Sequence, residues 1–392
     1  MLIIFLVVFI NLVGFGIIIP LLPFYGERFG ASPDTVTILF ATYSAAQFVT
    51  APIWGRMSDR FGRRPMILLS LTGTVAAYVW LAFAADLAHL FWARAFGGVM
   101  AGSIGVSFAY VADITTAENR SRGMGMVGAA FGLGFIAGPA IGGVLSGGNL
   151  ATADFRLPSL AAAIFSLAAL ILAAAILKES LSEDVRNANT SMPRTVRRRA
   201  LVDLFRDKEF LLILVLAFSA VFVFAGLEST FALWTERVYG WGPKQNGYIF
   251  AFVGVIIALI QGSLIGPMTR KFGERTMIVQ GFAAFAIGLA ALPFAHSLPA
   301  LLAVMVIVSY GFGISNPALN TLLSFRAGRN MQGGALGVGR SAMTLSRVLG
   351  PPWAGFIFVA LGRDWPFLVG AATMFAVAIL AWRLPRKETT QS

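Results

Sequence analysis

The sequence predicts an all-α membrane protein with twelve transmembrane helices in two pseudo-symmetric six-helix bundles. Three observations carry this expectation. The 392 residues are 57% hydrophobic and only 12% charged, about half the charged fraction of a soluble domain. Twelve apolar runs approach the ~20 residues that a bilayer-crossing helix needs. They are 2–24, 36–57, 65–85, 88–112, 123–148, 158–177, 210–235, 245–268, 276–296, 298–323, 333–360 and 364–383. The last six runs also repeat landmarks of the first six at a near-constant offset.

Run one is too long for a signal-peptide core and has no small-residue cleavage site, so it is expected to remain as the first helix. Runs two and three are joined by the basic turn Gly55–Arg64, Gly-Arg-Met-Ser-Asp-Arg-Phe-Gly-Arg-Arg. Glycine permits so tight a connection. An echo, Gly266–Arg275, joins runs eight and nine at an offset of 211. Glu27-Arg28 returns as Glu236-Arg237, Phe40-Ala41 as Phe250-Ala251, and Gly138-Pro139 as Gly350-Pro351, with every offset between 209 and 212. Chance does not hold a shift so steady. The one long polar stretch, 178–209, contains Glu183, Asp184, Arg194, Arg197, Arg198, Arg199 and Asp203. It reads as a solvated, membrane-facing linker between an N-terminal bundle, 1–177, and a C-terminal bundle, 210–392. A parallel six-helix repeat about an axis along the membrane normal implies a rocking carrier with a central site.

The formal net charge of +12 follows from topology rather than nucleic-acid binding. Assigning loops alternately to the two sides puts 22 Lys/Arg on one side and 5 on the other, with 3 inside helices. The basic side is cytoplasmic by the positive-inside rule, which places both termini and the linker there. The chain has no cysteine, which excludes disulfides, thiolate metal sites and cysteine nucleophiles. His89 and His296 fall in corresponding outer loops and read as exposed side chains. No nucleophile–base set, metal cluster or phosphate-cradling loop stands out, so an enzyme or receptor is only a remote alternative and no cofactor or metal is expected.

Gly55-x-x-x-Asp59-Arg60-x-Gly62-Arg63-Arg64 resembles, at every position, the loop 2–3 motif of the major facilitator superfamily. Run five, with Gly125, Gly134, Gly138, Pro139, Gly142 and Gly143, is similar to the glycine–proline motif of that superfamily's twelve-helix drug–proton antiporters. The physics agrees: glycines let a neighbouring helix approach closely, and Pro139 removes one backbone hydrogen bond. Asp59 suits the start of run eleven near Gly333-Gly334, where the helix dipole favours an anion. The resemblance implies that this contact latches the outward-facing state. Asp113 is expected to pair with Arg60, Arg63 or Arg120 in the same latch.

A charge at mid-helix costs about 2.5–3.5 kcal/mol on insertion scales, so each one calls for a reason. Arg94 with Gly97, Gly98 and Gly102 resembles a run-four motif of the same family, which implies a part in proton handling. Glu228 in run seven is the candidate coupling acid, because burial moves a carboxyl toward neutral pH. Gly333, Gly337, Arg340, Thr344, Arg347 and Pro351 share one stripe of run eleven that must avoid lipid. Arg347 lies deeper than Arg340. Asn11, Gln47, Gln261, Asn316 and Asn320 are polar groups inside apolar runs; they suit interhelix hydrogen bonds or an amphipathic ligand.

Within the superfamily the chain most resembles the tetracycline exporters, sharing Gln47-x-x-x-Ala51-Pro52 and the string Met57–Pro65. It departs from them where they carry charge. Their first-helix acid is Asn11 here. Their acids in the third and ninth helices align with Ala77 and Phe285, and their eighth-helix histidine, where one occurs, with Ile257. A metal–tetracycline chelate is therefore not the expected substrate, and the three buried arginines favour an anionic or neutral amphipath. The expectation is a monomeric antiporter of the inner membrane, surrounded by lipid, that exchanges protons for a drug-like small molecule. The alternative is an organic-anion carrier or importer without proton coupling.

Overall fold

A computed structural model describes residues 2–115, 119–148, 153–181, 205–326 and 328–385. Side chains at 120–122, 131 and 328–333 fall outside that description, as does most of the linker. The helices are α1 Leu2–Ile18, α2 Leu22–Arg28, α3 Pro33–Phe61, α4 Arg63–Ala82, α5 Leu87–Ala101, α6 Ile104–Asp113, α7 Arg120–Ser146, α8 Arg156–Ile176, α9 Lys208–Tyr239, α10 Pro243–Leu259, α11 Ile265–Ala291, α12 Leu298–Arg326, α13 Gly328–Leu361 and α14 Trp365–Ala381. The described residues form no strand. Nine helical stretches among them are long and apolar enough to cross a membrane, or ten with the bent pair α1–α2. One of these, Pro243–Phe294, carries both run eight and run nine, joined across Gly273. With the shorter α14, every one of the twelve runs is helical.

Two runs are broken rather than continuous. Run one bends by 41° between α1 and α2, at Pro20, which has no N–H to give. Run four tightens at Gly102-Ser103. Ser103 N–H turns to Met100 O at 3.1 Å, leaving Val99 O without its helical donor. α3 answers: Trp54 Nε1 donates to Val99 O at 2.6 Å, Thr50 Oγ1 to the same oxygen at 3.2 Å, and Gln47 Nε2 to Ala101 O at 3.3 Å. A spanning helix can break only where its freed carbonyls find such partners.

By packing, the chain forms two compact units: Met1–Met192 with Phe231–Gly254, and Pro193–Thr230 with Val255–Ser392. In the first, α1 packs on α7 and α8, α4 on α5 and α8, and α3 on α5. In the second, α11 packs on α12 and α14.

The glycines of run five serve two partners. A Cβ at Gly142 would lie 2.3 Å from Ile17 O, and one at Gly138 2.6 Å from Gly16 Cα, so this face seats α1. Gly143 faces α10, where a Cβ at Gly247 would lie 2.4 Å from Pro139 O. Gly125 departs from the expected smooth face, for a Cβ there meets nothing within 4 Å. Gly142→Ala should therefore overpack the α1–α7 seam at a cost of about 1–3 kcal/mol, read as a lowered apparent melting temperature in detergent. Gly125→Ala should leave that temperature unchanged or slightly raised. Equal effects would mean that close approach does not set the seam.

Candidate functional site

Small residues bring α9 against α13. A Cβ at Gly350 would lie 2.4 Å from Phe222 O, and one at Gly226 3.1 Å from Ala354 Cβ. Ser346 Oγ donates to Phe218 O at 2.9 Å across the same seam. Two long side chains then meet. Arg347 Nη1 donates to Glu228 Oε2 at 2.8 Å, with the glutamate side chain 7% exposed and the arginine 33%. The sequence marks both residues, one for coupling and one for ligand; the structure makes them a single ion pair. Aromatic rings lie on the same helices, with Phe222 and Trp353 4.9 Å apart and Phe224 stacked on Phe312 at 3.9 Å.

The other intramembrane candidates fall into several environments. Arg94 is buried, with its guanidinium 4.3 Å from the centre of the Tyr43 ring. Tyr78 and Thr74 line the same water-sized space of about 20 Å³. A desolvated cation over an aromatic face gains roughly 2 kcal/mol. Asn11 Oδ1 accepts from Ser166 Oγ at 3.2 Å and, with Ser70, Ser103 and Ser107, lines a cavity of about 40 Å³. Gln47 is engaged by the broken helix. Asn320 Nδ2 donates to Asn316 Oδ1 at 3.0 Å on α12. Gln261 is exposed within the π turn Ile260–Leu264, the kind of helix irregularity that often accompanies function. Arg340 is exposed on α13.

At the basic turn, Arg63 is the centre. Its buried side chain donates to Asp59 Oδ1 and Ser58 Oγ at 2.6 Å each and to Asp113 Oδ2 at 3.1 Å. Asp113 thus takes Arg63 from the three arginines considered for it. Arg60 lies over the Phe61 ring and Arg64 donates to Ala174 O at 2.8 Å. The side chains of Arg120 and Gly333 lie outside the described residues. Glu179, just past α8, is a participant that the sequence reading missed. Its carboxylate accepts Arg63 N–H at 2.8 Å and Arg64 N–H at 3.1 Å, capping α4. Gly62 has φ +103, and a Cβ there would lie 2.4 Å from Glu179 Oε2, so the motif's second glycine is fixed twice over. An acid at the end of run six, on the same side as a basic turn, was the available signal.

At the opposite ends of the helices one arginine of the repeated Glu-Arg pairs holds both glutamates, while Arg28 Nη1 donates to Ala153 O at 2.9 Å. Arg237 Nη2 donates to Glu27 Oε1 at 2.8 Å and Nη1 to Glu236 Oε2 at 3.3 Å. Thr235 Oγ1 donates to Asn246 Oδ1 at 2.8 Å close by. His89 is exposed as expected but sits in the first turn of α5 rather than in a loop: its N–H and Nδ1 lie 2.8 Å from Asp86 Oδ1, and the N–H bond holds that exposed carboxyl below its usual range. His296 is also exposed.

Long apolar helices, broken where carbonyls are answered, glycine seams and intramembrane charges together define a polytopic membrane carrier. The family model "Major Facilitator Superfamily" matches residues 4–265 and 262–392, and the chain belongs to that superfamily. It is 32% identical over 384 residues to a tetracycline resistance protein, class C, of Escherichia coli, covering 95% of this chain and 94% of that one. It is 31% identical to multidrug resistance protein 2 of Bacillus subtilis (strain 168), covering 94% and 90%. Its fold matches a crystal structure of the human organic anion transporter MFSD10 with TM-score 0.73 at 23% identity, covering 97% and 98%.

Removing one partner of a buried ion pair leaves an uncompensated charge and costs about 3–5 kcal/mol; a third-exposed Arg347 places this pair at the lower end. Arg347→Gln should therefore lower thermal stability in detergent more than the double variant Glu228→Gln/Arg347→Gln. If the double variant is the less stable of the two, the pair is not coupled.

Proposed function

We propose that the protein is a proton-coupled antiporter that exports a neutral amphipathic small molecule by alternating access of two six-helix halves, 1–177 and 210–392, joined by 178–209. The observation that carries this reading is the buried Glu228–Arg347 pair. Antiport requires substrate and proton to exclude one another. Deprotonated Glu228, held by Arg347, offers carboxylate oxygens to the polar head of a substrate. Protonation removes that acceptor and releases Arg347. Gln261, Asn316 and Asn320 supply further polar contacts, and Phe222, Phe224, Phe312 and Trp353 an apolar wall. The relatives named for tetracycline and multidrug resistance support export. Asn11, Ala77 and Phe285, where that branch's acids stand, argue against a metal–drug chelate.

Gating is assigned to the glycine seams and the basic turn. Gly134, Gly138, Gly142 and Gly143 with Pro139, and their counterparts Gly350 and Pro351, allow helices to slide without side-chain obstruction. Gly55, Asp59, Arg60, Gly62, Arg63, Arg64 and Arg120 form the latch, with Arg340 on the same side. Glu27–Arg237 is a closing contact at the far end. Arg94 and Asp113 are secondary proton sites. The protein works as a monomer in the inner membrane with its termini in the cytoplasm.

A second reading rests on the third-exposed guanidinium of Arg347, which suits an organic anion. The two readings differ in sign. An anion on Arg347 and a proton on Glu228 bind cooperatively, whereas a neutral head group on the carboxylate competes with the proton. Binding to the purified transporter should therefore weaken as pH falls for an exported neutral amphipath, and Glu228→Gln should flatten that dependence. In proteoliposomes the same variant should abolish gradient-driven transport while leaving exchange measurable. Full gradient-driven transport by Glu228→Gln would remove Glu228 from coupling. Binding that strengthens on acidification would select the organic-anion reading.

A further inference from the structure

The repeated Glu-Arg pairs after runs one and seven bring two acids and two bases, yet the structure does not match them one to one. Arg237 takes both acids: its Nη2 donates to Glu27 Oε1 at 2.8 Å and its Nη1 to Glu236 Oε2 at 3.3 Å. Arg28 turns elsewhere. Its Nη1 donates to Ala153 O at 2.9 Å, and its guanidinium lies 5.7 Å from the centre of the Phe155 ring. All of these residues belong to the first compact unit.

One guanidinium thus faces two carboxyl groups, and the two carboxyls lie within hydrogen-bond reach of each other. Their side chains are only 20% and 28% exposed. A carboxylate is an acceptor alone, so a hydrogen bond between two carboxyls needs a proton on one of them. Without it, two like charges face each other across a partly desolvated contact, where a lower dielectric makes repulsion costly. The surrounding charges do not offset this. α3, packed on α2, brings Asp34 in its first turn, a further acid. Asp154 and Arg156, ahead of α8, act with Arg28 on Tyr25. Lys244 on α10 stands against Gly148, and Tyr239 stacks on Trp241. Residues 149–152 bring no charge. Among the described residues, the charges acting on Glu236 are those of Glu27 and Arg237.

We propose that the contact between α2 and the end of α9 is a pH-sensitive switch, in which Glu27 and Glu236 share one proton beside Arg237 and the contact loosens when that proton leaves. Protonated, the trio is neutral, and its acid, carboxylate and guanidinium are hydrogen-bonded together. Deprotonated, it carries one net negative charge and its carboxylates repel. The proton comes from, and returns to, the water that reaches the third-exposed side chain of Arg237. The closed contact holds one proton more than the open one, so acid favours closure and base favours opening. This proposal rests on the reading of Glu27–Arg237 as a closing contact of an alternating-access carrier. There, protons at this face would promote closure once an exported solute has left.

Distances between spin labels on the full-length protein in nanodiscs test this. The chain has no cysteine, so Ser32→Cys and Tyr248→Cys give two exposed label sites, one after α2 and one on α10. In this parent, the ratio of short to long distances should fall as pH rises from about 5 to 9, by up to about tenfold per pH unit, the limit for one linked proton. Glu236→Gln should hold the short distance throughout, because its amide donates to Glu27 without titrating. Glu27→Gln should do the same from the other side, so either variant suffices where the other fails to fold. No response to pH in the parent, or an unchanged response in these variants, overturns the proposal. Glu228→Gln separates it from the antiport reading, since that variant should lose gradient-driven transport and keep the distance transition. A transition lost in Glu228→Gln but kept in Glu27→Gln and Glu236→Gln belongs to the coupling acid, and the switch fails while antiport stands. Gradient-driven transport kept in Glu228→Gln, with the transition lost only in Glu27→Gln and Glu236→Gln, gives the reverse.

Discussion

Inside a bilayer no water is at hand to accept what a helix leaves unpaired, so each freed carbonyl and each charge must be answered by the chain. That constraint explains features that look unrelated in sequence. Run four breaks at Gly102-Ser103, and Trp54, Thr50 and Gln47 on α3 supply the donors. The same α3 supplies Tyr43 as the surface for Arg94. Arg347 is answered by Glu228. Gln47, a ligand candidate by sequence, is engaged by the break in run four. Glu228, by contrast, is engaged by a side chain on another helix, Arg347 on α13.

Close approach is the second requirement, and it follows from the first. Ion pairs and side-chain-to-carbonyl bonds form only if helix axes lie near enough, and in lipid that nearness comes from small residues. α7 uses two glycine faces, one on α1 and one on α10. α13 repeats the device with Gly350 against Phe222 on α9, which is what lets Arg347 reach Glu228. Packing motif and charge site are therefore linked: a side chain larger than hydrogen at Gly350 would push apart the helices that hold the pair.

Much of this was legible in the sequence. Length and hydropathy locate all twelve runs, because a 20-residue apolar stretch has few other uses. The repeat offset identifies equivalent positions, and the scarcity of charge points to Arg94, Glu228 and Arg347. Pairing was not legible. Glu228 and Arg347 are separated by 119 positions, and nothing in the local pattern says that α9 and α13 present them to each other. Tyr43 under Arg94 is harder still, since an aromatic residue in an apolar run carries no mark of its role. Broken helices were also hidden: runs one and four read as continuous, because the donors that answer the break at Gly102-Ser103 lie on another helix. Glu179 was overlooked because an acid at the edge of a linker looks solvated.

The two copies of the basic turn show how a duplicated scaffold diverges. Asp59 and Arg63, four apart, correspond to Arg270 and Glu274, so the acid and base have changed places. In the first copy Arg63 gathers Asp59, Ser58 and Asp113 into one buried fork. A glutamate at the matching place cannot gather acids, so the second copy cannot hold its turn in that way. Yet the backbone path through Gly62 and Gly273 is retained. Duplication has thus kept the geometry that ends one helix and starts the next while freeing the charges around it. The two copies share a turn geometry, but the charges placed around that turn differ. That asymmetry leaves each copy of the turn to be held by different side chains on a common backbone frame.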